Sequence, residues 1–354
     1  MECVLTEPLY LDHAATTPMT PAAVAAVREG MAIWANPSSP HAAGRAARAA
    51  LEAARGRIAA AYGWRHEVLL TSGASESLAI ALGRSVAARR IVSAVEHDAV
   101  LRAAGQAGVL PVDALGRVDP GALGDVAGAL VAVQWCNSET GVIQPIAAIA
   151  EAVHAGGGQL LADAAQMPAG DVLAEHADFV AVSAHKRGGP PGTGALLVRD
   201  VALLHPSGGQ ERGYRPGTEN LPGVLGYAAA LGEAEPDHSA RRARLDDAIR
   251  RSGGEVVADA AERHPAIGAY RMPGVASAAQ LIRFDLAGIA VSAGSACASG
   301  SLKPSHVLRA MGWSEEASRE VVRVSFGRTT CDDDVERFIA AWRGVMRATG
   351  RFAA

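Results

Sequence analysis

A lysine leaving a buried strand is costly, and this chain places one there. The apolar runs Phe179-Val-Ala-Val182 and Ala195-Leu-Leu-Val198 bracket Ser183-Ala-His-Lys-Arg-Gly-Gly-Pro-Pro-Gly-Thr-Gly194. The runs read as strands, and the stretch between them as a loop that cannot be helical. The ammonium of Lys186 must therefore be paired, or its pKa must fall. A deprotonated lysine amine is what condensation with an aldehyde requires. A surface lysine in a Gly/Pro turn fits this stretch alone equally well, so its companions decide. Ser75, His97, Asn137 and Asp163 each follow an apolar run of their own, at 68–71, 91–95, 130–135 and 159–162. Asp163 could equally be a cap at a strand end, and His97 a core histidine. A nucleophile candidate lies far downstream. Cys297 sits in Ser292-Ala-Gly-Ser-Ala-Cys-Ala-Ser-Gly-Ser301, with only Gly, Ala and Ser around it. So little side chain to pack predicts a mobile segment, and suits a thiol that enters a site and leaves. Its thiolate must form near neutral pH.

The elements that position these residues follow from the punctuation. Thr20 caps and Pro21 opens a helix over 21–34, and Gly63 ends an Ala/Arg-rich helix over 42–62. Arg45, Arg48 and Arg55 read as a solvated face. Strand–loop–helix units then repeat, which predicts an α/β fold with a mostly parallel sheet covered on both faces. In such sheets ligands sit beyond the carboxyl ends of the strands, where these polar residues converge. After Leu231 the pattern changes to a polar break, a charged helix over 239–251, shorter strands and a closing helix over 332–349. This reads as a second, smaller α+β domain.

Composition removes other classes. The 354 residues are 49% apolar and 20% charged, with a net charge of -4, so neither nucleic acid nor an anionic membrane is favoured as a partner. No signal peptide and no apolar run long enough to span a membrane is visible. The four cysteines form no CxxC and the eleven histidines lack ligand-like pairing. That argues against a metal site and for a reducing cytoplasm. Cys3, Cys136 and Cys331 lack a setting like that of Cys297.

The motifs, in order, are Leu9-Tyr-Leu-Asp-His-Ala-Ala-Thr-Thr-Pro18, Thr71-Ser-Gly-Ala-Ser-Glu76, Glu96-His97, Asp163-Ala-Ala-Gln166, Ser183-Ala-His-Lys186, Gln210-Glu-Arg-Gly-Tyr-Arg-Pro-Gly-Thr218, Gly294-Ser-Ala-Cys297 and Val321-Val-Arg-Val-Ser-Phe-Gly-Arg328. Together they resemble cysteine desulfurases of the NifS/IscS type, fold-type I pyridoxal-phosphate (PLP) enzymes of the class V aminotransferase branch. The resemblance implies a large domain over 16–234 with a seven-stranded sheet. It also implies a small domain from 1–15 and 235–354 that carries the cysteine loop. It implies that Lys186 holds PLP covalently, Asp163 pairs with the ring nitrogen, His97 stacks on the ring and moves protons, and Gln166 bonds the phenolic oxygen. Ala74 and Ser75 would grip the phosphate at a helix N-terminus, with Ser183 and His185 adding donors. Thr218 would reach the phosphate of a second subunit, making a homodimer. Arg323 would bind the carboxylate of L-cysteine. Cys297 would take the sulfur as a persulfide, leave L-alanine, and pass the sulfur to an acceptor protein such as an iron–sulfur scaffold.

Three departures qualify the resemblance. Ser138 stands where the family has an Asn that contacts cofactor and substrate, so Asn137 or a water would have to compensate. An Asn usual shortly after Thr-Glu-Ser is absent beyond Glu76. The chain ends soon after Arg328, so a different sulfur acceptor, or a different mode of docking it, is expected. Rival readings are a selenocysteine lyase, another class V aminotransferase-like enzyme, or a non-catalytic homologue serving as a partner protein.

Overall fold

The structure is a computed structural model and describes residues 8–170, 172–293 and 304–350. Twelve strands are assigned among these residues. They are β1 (Leu9–Tyr10), β2 (Glu67–Thr71), β3 (Arg89–Ser93), β4 (Gly108–Leu110), β5 (Ala129–Gln134), β6 (Gln159–Asp163), β7 (Phe179–Ser183), β8 (Gly194–Val198), β9 (Glu255–Val256), β10 (Ile267–Arg271), β11 (Ile289–Ala290) and β12 (Val321–Ser325). Seven form one sheet in the order β2-β8-β7-β6-β5-β3-β4. Only β8 opposes its neighbours, β2 and β7, while β7, β6, β5, β3 and β4 pair in parallel. The carboxyl ends of β2, β3, β5, β6 and β7 therefore share one edge.

The near-continuous apolar runs follow from burial on both faces. Leu70, Val131, Val133, Val180, Val182 and Leu197 join one core with Leu51 and Ile58 of the helix Ala42–Ala61. Their neighbours Leu69, Leu130, Ala132, Phe179, Ala181 and Leu196 join the opposite core with Leu78 and Leu82 of the helix Ala74–Arg84. The helix Pro21–Ala32 begins at the expected cap, where Thr20 Oγ1 accepts from Ala23 N at 3.1 Å.

A second assembly follows the helix Leu221–Leu231. β12, β10 and β9 form an antiparallel sheet, and β1 pairs with β11 in parallel. Its core holds Trp342, Phe338 and Phe284. Helices Ser239–Arg251 and Asp332–Gly350 flank it. From β1 the chain crosses to the functional edge of the large sheet, where the carbonyls of Ala14 and Ala15 meet Lys186.

Two expectations are corrected. The segment after β7 contains one 3-10 turn, Ala184–Lys186. Arg187 N and Gly189 N both donate to Ala184 O at 2.9 Å, and the Gly/Pro run stops the helix only afterwards. Arg55 is not part of a solvated face. It clamps Glu211 at 2.5 and 2.9 Å, with the Glu211 side chain only 1% exposed. Glu211 also accepts from Leu70 N at 2.8 Å, so β2 and the 210–218 loop share one carboxylate. Arg55→Ala leaves that charge buried and is expected to cost about 3 kcal/mol by urea unfolding. A loss below about 0.5 kcal/mol would restore the solvated reading.

Candidate active site

Two adjoining cavities open at the shared strand edge, of about 360 and 440 Å³. Lys186, His97 and Ser138 line both. The smaller is also lined by Ala74, Ser75, Asp163, Gln166, Ser183 and His185. The larger contains Arg323 and Asp12. Thr218 lines neither and lies exposed in the 210–218 loop. Cys297 lies outside the described residues.

Lys186 Nζ donates to Ala15 O at 2.9 Å and to Ala14 O, with no carboxylate among these hydrogen-bond partners. Burial first, and then the Arg323 guanidinium, bring its pKa down to about 8, although Asp163 and Asp12 oppose the fall. The charge is thus disfavoured rather than paired, the second of the two outcomes open from the sequence.

Asp163 ends β6, and its Oδ1 accepts from Ala165 N at 3.0 Å. It is therefore a local cap as well as a cavity group. Burial raises its pKa, against His97 and Lys186, so a cation placed beside it would return it to the carboxylate. His97 caps the helix Asp98–Ala104, with Nδ1 accepting from Ala99 N at 3.1 Å. That contact leaves the neutral ring its proton on Nε2. Burial lowers its pKa, with Asp163 opposing and Lys186 assisting.

Gln166 Nε2 donates to Ala14 O at 3.0 Å, the carbonyl that Lys186 also uses. His185 Nδ1 meets Thr16 Oγ1 at 3.1 Å, and burial, then Lys186, lower its pKa to about 4. The helix Ala74–Arg84 has no side-chain cap, so its first amides are free for an anion. Gly73 makes that turn at φ +147°, and a Cβ on Gly194 would come within 2.6 Å of Gly73 Cα. Both glycines are needed to bring the loop onto the strand end.

In the larger cavity Arg323 Nη2 donates to Asp12 Oδ1 at 2.7 Å and Nη1 to Ser138 O at 2.9 Å. Asp12 lies within a quoted motif, yet nothing local marks it as the partner of Arg323, 311 positions away. Asn137 does not stand in for the amide absent at Ser138. Its Oδ1 accepts from Glu139 N, Thr140 N and Thr140 Oγ1, and Nδ2 donates to Val95 O at 3.1 Å. Its amide is committed to the turn. Cys136 is buried, and burial pushes its thiol up to about 12, which makes it a poor nucleophile.

Arg323→Ala removes the cationic fork from a site where its side chain is only 9% exposed. The expected loss in kcat/KM for an amino-acid substrate is about a hundredfold, mostly in KM. A smaller-than-threefold change would leave Arg323 as no more than the partner of Asp12.

The donor set fits PLP: an amine disposed to lose its proton, a buried acid in need of a cation, and an uncapped helix start in one cavity. Fold and site thus define an α/β protein with a lysine, disfavoured as a cation, at the carboxyl edge of its parallel strands. The aminotransferase class-V family model matches residues 9–338, and the chain belongs to that family. It is 36% identical to a cysteine desulfurase of Gluconacetobacter diazotrophicus, over 96% of this chain and 93% of the relative. A NifS-like protein from Rickettsia africae superposes with a TM-score of 0.85 at 28% identity, covering 96% of this chain and 99% of that one. A structure described as SspA in complex with cysteine superposes with a TM-score of 0.80 at 28% identity, covering 91% and 100%. No helix among the described residues is long and apolar enough to cross a membrane.

Proposed function

We propose that this protein is a PLP-dependent cysteine desulfurase that converts L-cysteine to L-alanine and carries the sulfur as a Cys297 persulfide. The observation that carries the reading is the position of Lys186. Its amine, disfavoured as a cation, stands between an anion-binding helix start and a cavity holding Arg323. PLP, when bound, supplies an electron sink conjugated to the substrate.

The chain's own groups supply the rest. Ala74 and Ser75, with Ser183 and His185, would hold the phosphate, Asp163 the ring nitrogen, and Gln166 the phenolic oxygen. Lys186 Nζ would hold the cofactor covalently, and the same amine is the base placed to take the α-proton. Arg323 binds the α-carboxylate. His97 would stack on the ring and offers its Nε2–H, since its Nδ1 is taken by Ala99 N. The Cys297 thiolate attacks the substrate sulfur. The carbon–sulfur bond breaks, its electron pair stays with carbon, and protonation there completes alanine. Ser292 and His306, which lie before and after Cys297 in the sequence, both line the Arg323 cavity.

The division into a cofactor domain, 16–234, and a smaller domain, 1–15 with 235–354, belongs to the same proposal. So do a homodimer in which Thr218 serves the second subunit, a cytoplasmic location, and an acceptor protein such as an iron–sulfur scaffold. The exposed position of Thr218 supports a role outside its own cavities.

The test is to add L-cysteine to the purified protein and measure alanine and protein-bound sulfane sulfur together. Equal yields are expected. Spectral changes of the cofactor without alanine would retain PLP and overturn the substrate, with Ser138 the place where specificity diverged.

A further inference from the structure

The uncapped start of the helix Ala74–Arg84 contains an acid in its first turn, Glu76. An anion approaching the Ala74 and Ser75 amides meets that carboxylate's like charge. Glu76 is nonetheless tied in place. Its Oε2 accepts from Ser72 N at 2.5 Å, and its Oε1 accepts from Arg215 Nε at 2.9 Å. Both side chains are mostly withdrawn from water, at 26% and 17% exposure. Burial alone would raise the Glu76 pKa, but Ser72 and Arg215 outweigh it and hold the group below its usual value.

Arg215 is delivered by a loop under strain. Glu211 and Arg212 take positive φ, 47° and 58°, which non-glycine residues rarely adopt. The Arg55–Glu211 clamp and the Leu70 N–H keep that conformation. Arg215 Nη1 then donates to Gly217 O at 3.3 Å while Nε reaches Glu76.

We propose that Glu76 and Arg215 are a positioning pair for the phosphate cradle. The carboxylate fixes the Ser72–Gly73 turn that exposes the helix amides. The guanidinium cancels the carboxylate's charge, so that a phosphate monoester can enter beside it. This rests on the reading of the smaller cavity as the PLP site. It adds the requirement that the pair acts on the phosphate and not on the ring.

The experiment titrates cofactor-free full-length protein with PLP and, separately, with pyridoxal, which lacks the phosphate. Arg215→Gln is expected to raise the PLP dissociation constant about tenfold to a hundredfold and to leave pyridoxal unchanged. Arg215→Lys should recover part of the loss. The double variant Glu76→Gln with Arg215→Gln should bind PLP more tightly than Arg215→Gln alone, because the uncompensated charge is gone. Unchanged PLP affinity in Arg215→Gln, equal losses for both ligands, or a double variant no better than the single one would overturn the pair's role. Wild-type protein that binds neither ligand would overturn the cofactor reading itself, and the pair with it.

Discussion

Lys186→Ala is expected to abolish the covalent cofactor absorption band and to lower desulfuration by at least about a thousandfold. The variant removes two functions of one atom, Nζ: the attachment point and the base for the α-proton. General acid–base catalysis alone accounts for about a hundredfold to ten-thousandfold. Lys186→Arg keeps a cation but offers no amine that can lose its proton, so it should fail equally. The pH dependence follows from burial. A lysine whose pKa has come down to about 8 is mostly protonated at neutral pH and mostly neutral above about 8. Cofactor capture by the apoprotein should therefore rise about tenfold per pH unit below that value and level off above it. Linkage has the same sign. The folded state binds fewer protons than the unfolded chain between about 8 and the ordinary lysine value, so this group's contribution to stability rises with pH across that window. Stopped-flow absorbance on the apoprotein reads capture directly. A flat profile, or a retained band in Lys186→Ala, would move the attachment point elsewhere.

What the sequence made legible here is what periodicity and strand ends encode. The runs at 160–162 and 179–182 are apolar at every position because both faces of β6 and β7 are covered, and such runs announce where the chain emerges. Asp163 and Lys186 could be placed at one edge for that reason. Commitments between distant side chains are not encoded locally. Arg55 lies 156 positions from Glu211, and its spacing within an Ala/Arg helix looks like any solvated stripe. Asn137 was open as a substitute for the amide missing at Ser138, yet its own turn consumes its amide through Glu139 and Thr140. The Ala14 carbonyl that takes both Gln166 and Lys186 carries no side-chain signal at all, since any residue supplies a carbonyl. Its position depends on β1 pairing with β11, where Leu9 meets Ile289 from the far side of the large sheet in sequence.

Cys297→Ala separates sulfur transfer from cofactor chemistry. None of the described residues that line the smaller cavity is altered, so PLP binding and its absorption should match the wild type. L-cysteine should still bind, because Arg323 and Lys186 remain, and cofactor spectral changes should still appear. Alanine and protein-bound sulfane sulfur should both fall by at least about a hundredfold, since no other described cysteine can replace the nucleophile. Cys136 is buried with its thiol pushed up to about 12, and Cys331, exposed just before the helix Asp332–Gly350, lines neither cavity. Cys297→Ser tests the same point with a near-isosteric group. A hydroxyl cannot hold a stable persulfide, so serine should be no better than alanine. The decisive ratio is alanine to protein-bound sulfur. Both lost together means that carbon–sulfur cleavage waits for the Cys297 thiolate. Alanine formed at the wild-type rate, with the sulfur recovered as the persulfide of free cysteine, would instead mean that a thiolate from solution can attack the substrate sulfur in place of Cys297. Cys297 would then be one recipient among others, and the selenocysteine lyase reading, in which cleavage needs no persulfide carrier, would gain the observation it now lacks.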